Sequence, residues 1–518
     1  MNSRWYLAID LGTGGSKVAA VGEDGRVLAA AFRSIDTHIT TDSPAGAHGN
    51  EQDTDQWWTG IVDGCREVLS STGDLGPCCG IGITGQWGST VPVDGSGRAI
   101  GPCLLWSDHR GARWSRKLAG GAVSVSGYGP IKIAQWLRLA GGAPNPNGAD
   151  PTGHAQFLRH ARRDVHRAAR ALMEPVDFIG LRLTGRVAAT PASMVASWLT
   201  DNRPDAPLEY NDTLVSLAGR DPDKLPPLLA TGSLLGTLQP AVAAELGLAE
   251  TTPVVCGVPD LHTAAIGAAA VHDFAGHIAI STTAWVSAPV PFKKTDVARQ
   301  MASVPGLRGR SYLIANNHET GGAALRWLRD LEVGGATYDE LTAEAATSPA
   351  GSRGVIFCPW LNGERSPVSD EHLRASFLNV SLATQRADLV RSVLEGVAYN
   401  AKWLLDATER FAGRPLDGLR LLGGGAVSDL WCQIHADVIG RDIHQVADPM
   451  NVNVRGAAWF AALHLGHLTL DEIASRAPTA TVFRPIAAHS AAHRPLYSEF
   501  VRLAKAQRPM YRRLNRRH

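Results

Sequence analysis

The 518 residues carry a formal net charge of +1, and 44% of them are hydrophobic. A near-neutral chain has no global field to recruit nucleic acid; the locally basic stretch from Arg508 to His518 reads as a solvated helix end. The length exceeds what one hydrophobic core usually serves, so two or more domains are expected.

Seven cysteines are scattered, with Cys78 and Cys79 the one close pair, which argues against a disulfide framework or a CxxC zinc site and fits a reducing compartment. The N-terminus enters a strand without a signal-like apolar stretch, and no later segment has the length and apolarity of a bilayer span. A cytoplasmic protein with neither membrane nor nucleic-acid partners is the expectation.

In chain order, the apolar run Trp5 to Ile9 predicts a strand, and the run resuming at Val18 predicts a hairpin around DLGTGGSK, Asp10 to Lys17. Glycines 12, 14 and 15 are expected to take positive φ and free N–H groups for phosphate oxygens, with Asp10 placed to hold a hydrated Mg²⁺. The loop lacks the spacing of a P-loop and the strand-to-helix context of a dinucleotide fingerprint. A strand near Val27 to Arg33 follows, then a helix from Gln56 to Leu69, capped by Thr54 or Asp55, with Trp57, Ile61, Cys65 and Val68 on one face. Ile81 to Thr84 reads as a strand before Gln86 and Trp87. Lys132 to Leu139 and Phe178 to Leu183 read as helices, while Pro, Asp and Gly break the pattern from Asp201 to Pro227.

A second unit begins near Thr251, with strand Pro253 to Val258, a small-residue helix and strand His277 to Ile280. The two halves share an organisation, so an α/β fold with a cleft between halves 1–250 and 251–518 is predicted. Gly423, Gly424 and Gly425 end an apolar strand before a helix capped by Ser428; they permit close backbone approach to a purine or phosphate, or form a tight structural turn.

In this order the loops resemble the FGGY carbohydrate kinases of the actin-like ATPase superfamily, with the xylulokinase pattern nearest. The resemblance rests on Asp10 to Lys17, Gly85 with Gln86, LWSDHR at Leu105 to Arg110, PDLHTAAIGAA at Pro259 to Ala269, PWLNGERSP at Pro359 to Pro367, and LLGGGAVSDLWCQIHADVIG at Leu421 to Gly440. It implies two actin-like, ribonuclease H-like domains: the first binds sugar and the second nucleotide, with a terminal helix packing back on the first. It also implies ATP and Mg²⁺ as cofactors and a homodimer.

The resemblance assigns the general base to Asp260, whose alternative is a helix N-cap. His262 is left to packing. Asp10 would bind Mg²⁺; Thr13, Gly14, Lys17, Thr282, Thr283, Gly424, Gly425 and Ser428 would address the nucleotide. Gln86, Trp87, Trp106, Asp108 and Asp260 would contact the sugar, amides and carboxylates pairing with hydroxyls and indoles covering the carbon chain.

Several positions depart from the family pattern. Ser281 and Ala284 stand where glycines are usual, Pro259 and Leu261 flank Asp260, and RASFLNV at Arg374 to Val380 is glycine-poor. Gly85-Gln86-Trp87-Gly88-Ser89 replaces GQMHG, losing a histidine and gaining bulk. A ketopentose, D-xylulose first, is therefore weighed against ribulose, glycerol or a tetritol. A catalytically weak sugar sensor and an actin-like assembly protein are the non-enzymatic rivals. Glu364 and Arg365, read as an ion pair near a hinge, and Asn317 to Glu319 are assigned no chemistry.

Overall fold

The computed structural model describes residues 4–40, 49–118, 130–309, 311–331 and 335–515. Two open sheets organise the chain. The first runs, in spatial order, Leu234–Thr237, Pro253–Val255, Ile81–Gly85, Trp5–Gly12, Gly15–Gly22, Val27–Ser34, and Val258–Pro259 also pairs with Ile81–Gly85. Trp5–Gly12 and Gly15–Gly22 form the expected hairpin, while Ile81–Gly85 runs parallel to Trp5–Gly12 with Asp10 opposite Thr84.

Trp5–Gly12 is apolar on alternate and intervening positions because both its faces are covered. Leu7 and Ile9 pack with Trp57 and Ile61 of the Thr54–Thr72 helix; Tyr6 and Ala8 pack with Val454 and Ala457 of the Val452–His464 helix. Asp53, not Thr54 or Asp55, caps the first of these helices, its side chain accepting from Asp55 N–H.

The second sheet repeats the plan with the order Ala284–Ser287, Ala275–Ile280, Asp417–Leu422, Ile443–Val446, Thr479–Phe483. Ala275–Ile280 again forms a hairpin with its successor and lies parallel to Asp417–Leu422. The core behind this sheet centres on the Arg386–Ala412 helix, buried along most of its length against Phe357, Trp360, Trp431 and Phe500.

Three expectations are corrected. The boundary at 250/251 falls inside the first sheet, because Pro253–Val255 and Val258–Pro259 pair with Ile81–Gly85 after the chain returns from its insertions. The terminal helix Ala487–Leu514 does not pack back on the first half; Phe500, Ala504 and Tyr511 enter the second core, where their apolar surface is buried. The element that does return to the first sheet is Val452–His464. Within the segment read as a loop, Asp212–Leu217 forms a short helix capped by Asn211.

Val452–His464 crosses the Asp260–Gly267 helix at backbone contact. A Cβ on Gly456 would overlap Thr263 O, and one on Gly267 would overlap Val452 O, so both positions require glycine for space. The crossing fixes the start of one helix, Asp260, relative to the start of the other, Asn451 to Asn453. Among the described residues no helix is long and apolar enough to cross a membrane.

Candidate active site

Trp5–Gly12, Ile81–Gly85 and Val258–Pro259 are mutually parallel, so their carboxyl ends deliver Asp10, Gln86 and Asp260 to one edge of the first sheet. Thr84 and Thr263 join hydroxyls at 2.8 Å, and Thr263 Oγ1 donates to Asp260 O at 3.1 Å, which pins the Asp260 turn to the central strand.

Burial pushes the Asp260 carboxyl up to about 7, the nearby Asp10 charge adds to the rise, and the Leu261 N–H opposes it. Asp10 is pushed up to about 6 by burial, against the attraction of Lys17 and a hydrogen bond from Asn453. Two coupled carboxyls thus titrate near neutrality, where a general base works best. His262 is buried, donates Nε2–H to Pro305 O at 2.8 Å and is pushed down to about 4, so it is a neutral packing residue as expected.

Asn453 was not anticipated. It donates to Asp10, while its own Oδ1 is buried without a hydrogen-bond partner. An acceptor-only carboxylate beside an unsatisfied amide oxygen is a donor set suited to a hard, hydrated cation such as Mg²⁺.

The hairpin differs from expectation in detail. None of Gly12, Gly14 and Gly15 has positive φ. Gly15 is required instead by crowding, since a Cβ there would overlap the Phe32 ring and Arg33 O; Gly14 is exposed at the tip with open space around it. Lys17 Nζ donates to Met450 O at 2.6 Å and Asn451 Oδ1 at 3.0 Å, so its ammonium ties the hairpin to the second half.

Thr13, expected on the nucleotide side, instead contacts Gln86 and Trp106, two residues expected on the sugar side. Its hydroxyl accepts from Trp106 Nε1 at 3.1 Å and lies 3.4 Å from Gln86 Oε1, while its carbonyl accepts from Gln52 Nε2 at 2.7 Å. Gln52, also unanticipated, accepts from Gln86 Nε2 at 3.3 Å and from Trp57 Nε1 at 3.1 Å. Trp87 lies apart from this network, half-buried against the apolar cluster of Val258 and Leu261.

Asp108 is corrected. It is fully buried, and its oxygens accept from Asn50 N–H, Arg110 N–H and the Arg110 guanidinium. Arg110 also pairs with Glu51 at 2.5 Å. With its lone pairs engaged, Asp108 locks the 50–51 segment instead of presenting oxygens to a sugar.

At the matching edge of the second sheet, Ser281 to Thr283 turn between Ala275–Ile280 and Ala284–Ser287, leaving Thr282 exposed. Gly321 N–H and Ala323 N–H donate to Thr282 O, and Gly322 N–H donates to Ser281 O. A Cβ on Gly321 would lie 2.4 Å from Thr283 O, so the glycine needed here comes from a neighbouring segment. Glu364 accepts from the Arg365 backbone N–H, not from its guanidinium; it holds this neighbouring segment through His318, Asn400 and the Glu319 N–H, and the Arg365 guanidinium pairs with Glu319.

Gly423 has φ +87° and presses on Ile280 O, Gly425 packs on the Ile280 side chain, and Gly424 is exposed between them. Ser428 caps the Asp429–Ile439 helix by accepting from Trp431 N–H at 3.2 Å, as expected. Trp431 and His435 are buried in the core. Thr282, Thr283, Gly424 and Gly425 therefore share one edge. The segment Met450 to Asn453 touches both edges, reaching Lys17 and Asp10 on one side and lying beside Gly424 on the other. Lys132 and Trp136 fall on the Pro130–Leu139 helix, Trp136 buried in a separate cluster; Tyr128 and Gly129 before them lie outside the described residues.

Comparison with known proteins gives the family and the fold. A xylulose kinase of Staphylococcus epidermidis is 27% identical over 468 residues, covering 89% of this chain and 88% of its own length. A gluconokinase of Bacillus subtilis is 22% identical, covering 98% and 97%. The solved structure of a gluconate kinase from Lactobacillus acidophilus superposes with a TM-score of 0.84 at 20% identity, covering 99% of this chain and all of that one. Residues 5–128 and 151–267 match the N-terminal domain of the FGGY family of carbohydrate kinases, and residues 281–465 match its C-terminal domain. The chain belongs to the FGGY family of carbohydrate kinases, enzymes that move phosphate from ATP to a carbohydrate hydroxyl.

Proposed function

We propose that this kinase phosphorylates an uncharged ketopentose, D-xylulose first, with Asp260 as general base. The carrying observation is the delivery of Asp10 and Asp260 to neighbouring strand ends beside the Thr13–Gln86–Trp106–Gln52 network. Asp260 would accept the hydroxyl proton while the oxygen attacks the γ-phosphorus and the bond to the ADP oxygen breaks. Thr282, Thr283, Gly424 and Gly425 would flank the nucleotide from the second sheet. Asp10 and Asn453 would hold Mg²⁺ through its waters. When bound, Mg²⁺ supplies neutralisation of the phosphate oxygens.

An uncharged acceptor is favoured over a sugar acid on electrostatic grounds. The charge acting on Asp260 is the like charge of Asp10, Arg110 is paired with Asp108 and Glu51, and Lys17, held by the neutral oxygens of Met450 and Asn451, acts on Asp10. A substrate carboxylate would be a further anion beside Asp10 and Asp260, with the Lys17 ammonium already drawn to Asp10. The amides of Gln52 and Gln86 and the Thr13 hydroxyl suit hydroxyl groups instead.

The test is ATP-to-ADP turnover with Mg²⁺ across ketopentoses, polyols and gluconate, comparing the intact protein with Asp260→Asn. Phosphorylated ketopentose, lost in the variant, is the expected result. Preferential phosphorylation of gluconate would overturn the uncharged-acceptor reading, and undiminished turnover by Asp260→Asn would overturn the base assignment.

A further inference from the structure

Glu174 stands at the N-cap position of the Pro175–Thr184 helix, yet its side chain caps nothing there. A carboxylate in that position ordinarily accepts from the N–H groups of its own first turn. Here it turns away. Its Oε2 accepts from Gly88 N–H at 2.9 Å and Ser89 N–H at 3.3 Å, and Oε1 is buried without a partner. Gly88 has φ +78°, so two successive N–H groups converge on one oxygen, the backbone arrangement that receives anions.

The loop so held carries the sugar-side residues. Ser89 Oγ accepts from Trp106 N–H at 3.0 Å and donates to Gln86 Oε1 at 3.4 Å, and Trp106 Nε1 reaches Thr13. The route from Glu174 to the acceptor network is thus a short series of hydrogen bonds.

The cost of the arrangement is visible. Glu174 is 2% exposed and Asp177, one turn along, is 4% exposed with Oδ2 unpartnered. Burial first, and then the neighbouring Asp177, hold the Glu174 carboxyl well above its ordinary range. Helix capping does not account for keeping such a group, since no capping bond is made.

We infer that Glu174 is a positioning and specificity-determining residue: it fills the anion-receptive turn at Gly88–Ser89, fixes Gln86 and Trp106, and leaves that turn unable to receive an anionic substrate group. This rests on the proposed assignment of Gln86 and Trp106 to the acceptor. Glu174 touches no reacting atom and acts through the loop.

The experiment compares Glu174→Gln, Ser89→Ala, their double variant and Gln86→Ala in the full chain, using the best acceptor from the panel. Expected for Glu174→Gln is a rise in acceptor KM on the order of tenfold, with ATP KM and the melting midpoint nearly unchanged, because the amide must place an NH₂ group where the unpartnered Oε1 is enclosed and so shifts the oxygen that the two N–H groups share. Its effect and that of Ser89→Ala should be less than additive, since both act through one loop. If Gln86→Ala raises acceptor KM and Glu174→Gln does not, the inference fails while the acceptor assignment stands. If neither raises it, both fail. Equal changes in ATP and acceptor KM would reduce Glu174 to a general structural role and overturn the inference. Should Glu174→Gln not accumulate as folded protein, Glu174→Asp, which keeps the carboxyl but withdraws it by one methylene, carries the same readout.

Discussion

Lys17 Nζ lies 2.6 Å from Met450 O, which joins the first hairpin of the chain to a turn 433 residues later. The same ammonium lowers the Asp10 carboxyl, which burial otherwise raises. Fold closure and site electrostatics therefore meet in one side chain. Lys17→Met is expected to lower kcat on the order of tenfold and move the acid limb of the pH–rate profile upward, because Asp10 loses the cation favouring its ionised form. A profile with an unmoved acid limb would show that Lys17 serves only the tie to Met450.

Asp260 gives a prediction with opposite signs for activity and stability. Its folded carboxyl is raised to about 7, so below its unfolded pKa it is neutral in both states and has no differential effect. Between that value and about 7 the folded state holds the extra proton, and stability falls as pH rises through this window. Activity should rise over its upper part as the base ionises. Asp260→Asn removes the buried charge, so at pH 8 it should melt a few degrees above the parent, on the order expected for removing one such penalty, while losing turnover. Calorimetry at pH 5 and pH 8 checks this: the gap between variant and parent must widen at the higher pH.

The hairpin, the shared plan of the two halves and the Ser428 cap were legible because each is a local pattern of apolar runs, turns and cap residues. Asn453 was not, since its partner Asp10 lies far along the chain and nothing in an asparagine in the first turn of a helix names the carboxylate it will meet. Glycine was legible but its reason was not: Gly15 is needed for space beside Phe32, not for positive φ, and the glycines that cradle Ser281 to Thr283 come from Gly321 and Gly322. Asp108 looked like a sugar ligand because a motif shows a carboxylate and conceals whether its lone pairs are already used.

The two glycine-dependent loops of the second sheet should respond differently to a methyl group. Gly321→Ala places Cβ against Thr283 O and must shift the turn, so kcat should fall at least about tenfold with acceptor KM unchanged. Gly424→Ala meets nothing closer than Met450 Sδ at 3.6 Å, an ordinary contact, so the protein should fold normally. Because Gly424 is exposed at the proposed nucleotide edge, its defect should appear in ATP KM. Steady-state kinetics varying each substrate separates the two; a Gly424→Ala variant with unaltered ATP KM would remove that residue from the nucleotide site.

Asp108 distinguishes a structural lock from a ligand. Asp108→Asn leaves the Arg110 guanidinium, itself buried and lying 4.3 Å from the Phe157 ring centre, with Glu51 as its remaining carboxylate. Breaking one side of a buried charge pair typically costs about 3–5 kcal/mol, and the surviving Glu51 contact places the loss toward the lower end. The variant should unfold at lower denaturant concentration while its surviving folded fraction keeps the parent's acceptor KM. Thr13→Val should do the reverse, since it removes the hydroxyl that Trp106 Nε1 donates to at the proposed acceptor site but leaves the buried pair intact. A rise in acceptor KM for Asp108→Asn without loss of stability would return Asp108 to the sugar site and make its enclosure by Arg110 a feature that the substrate displaces.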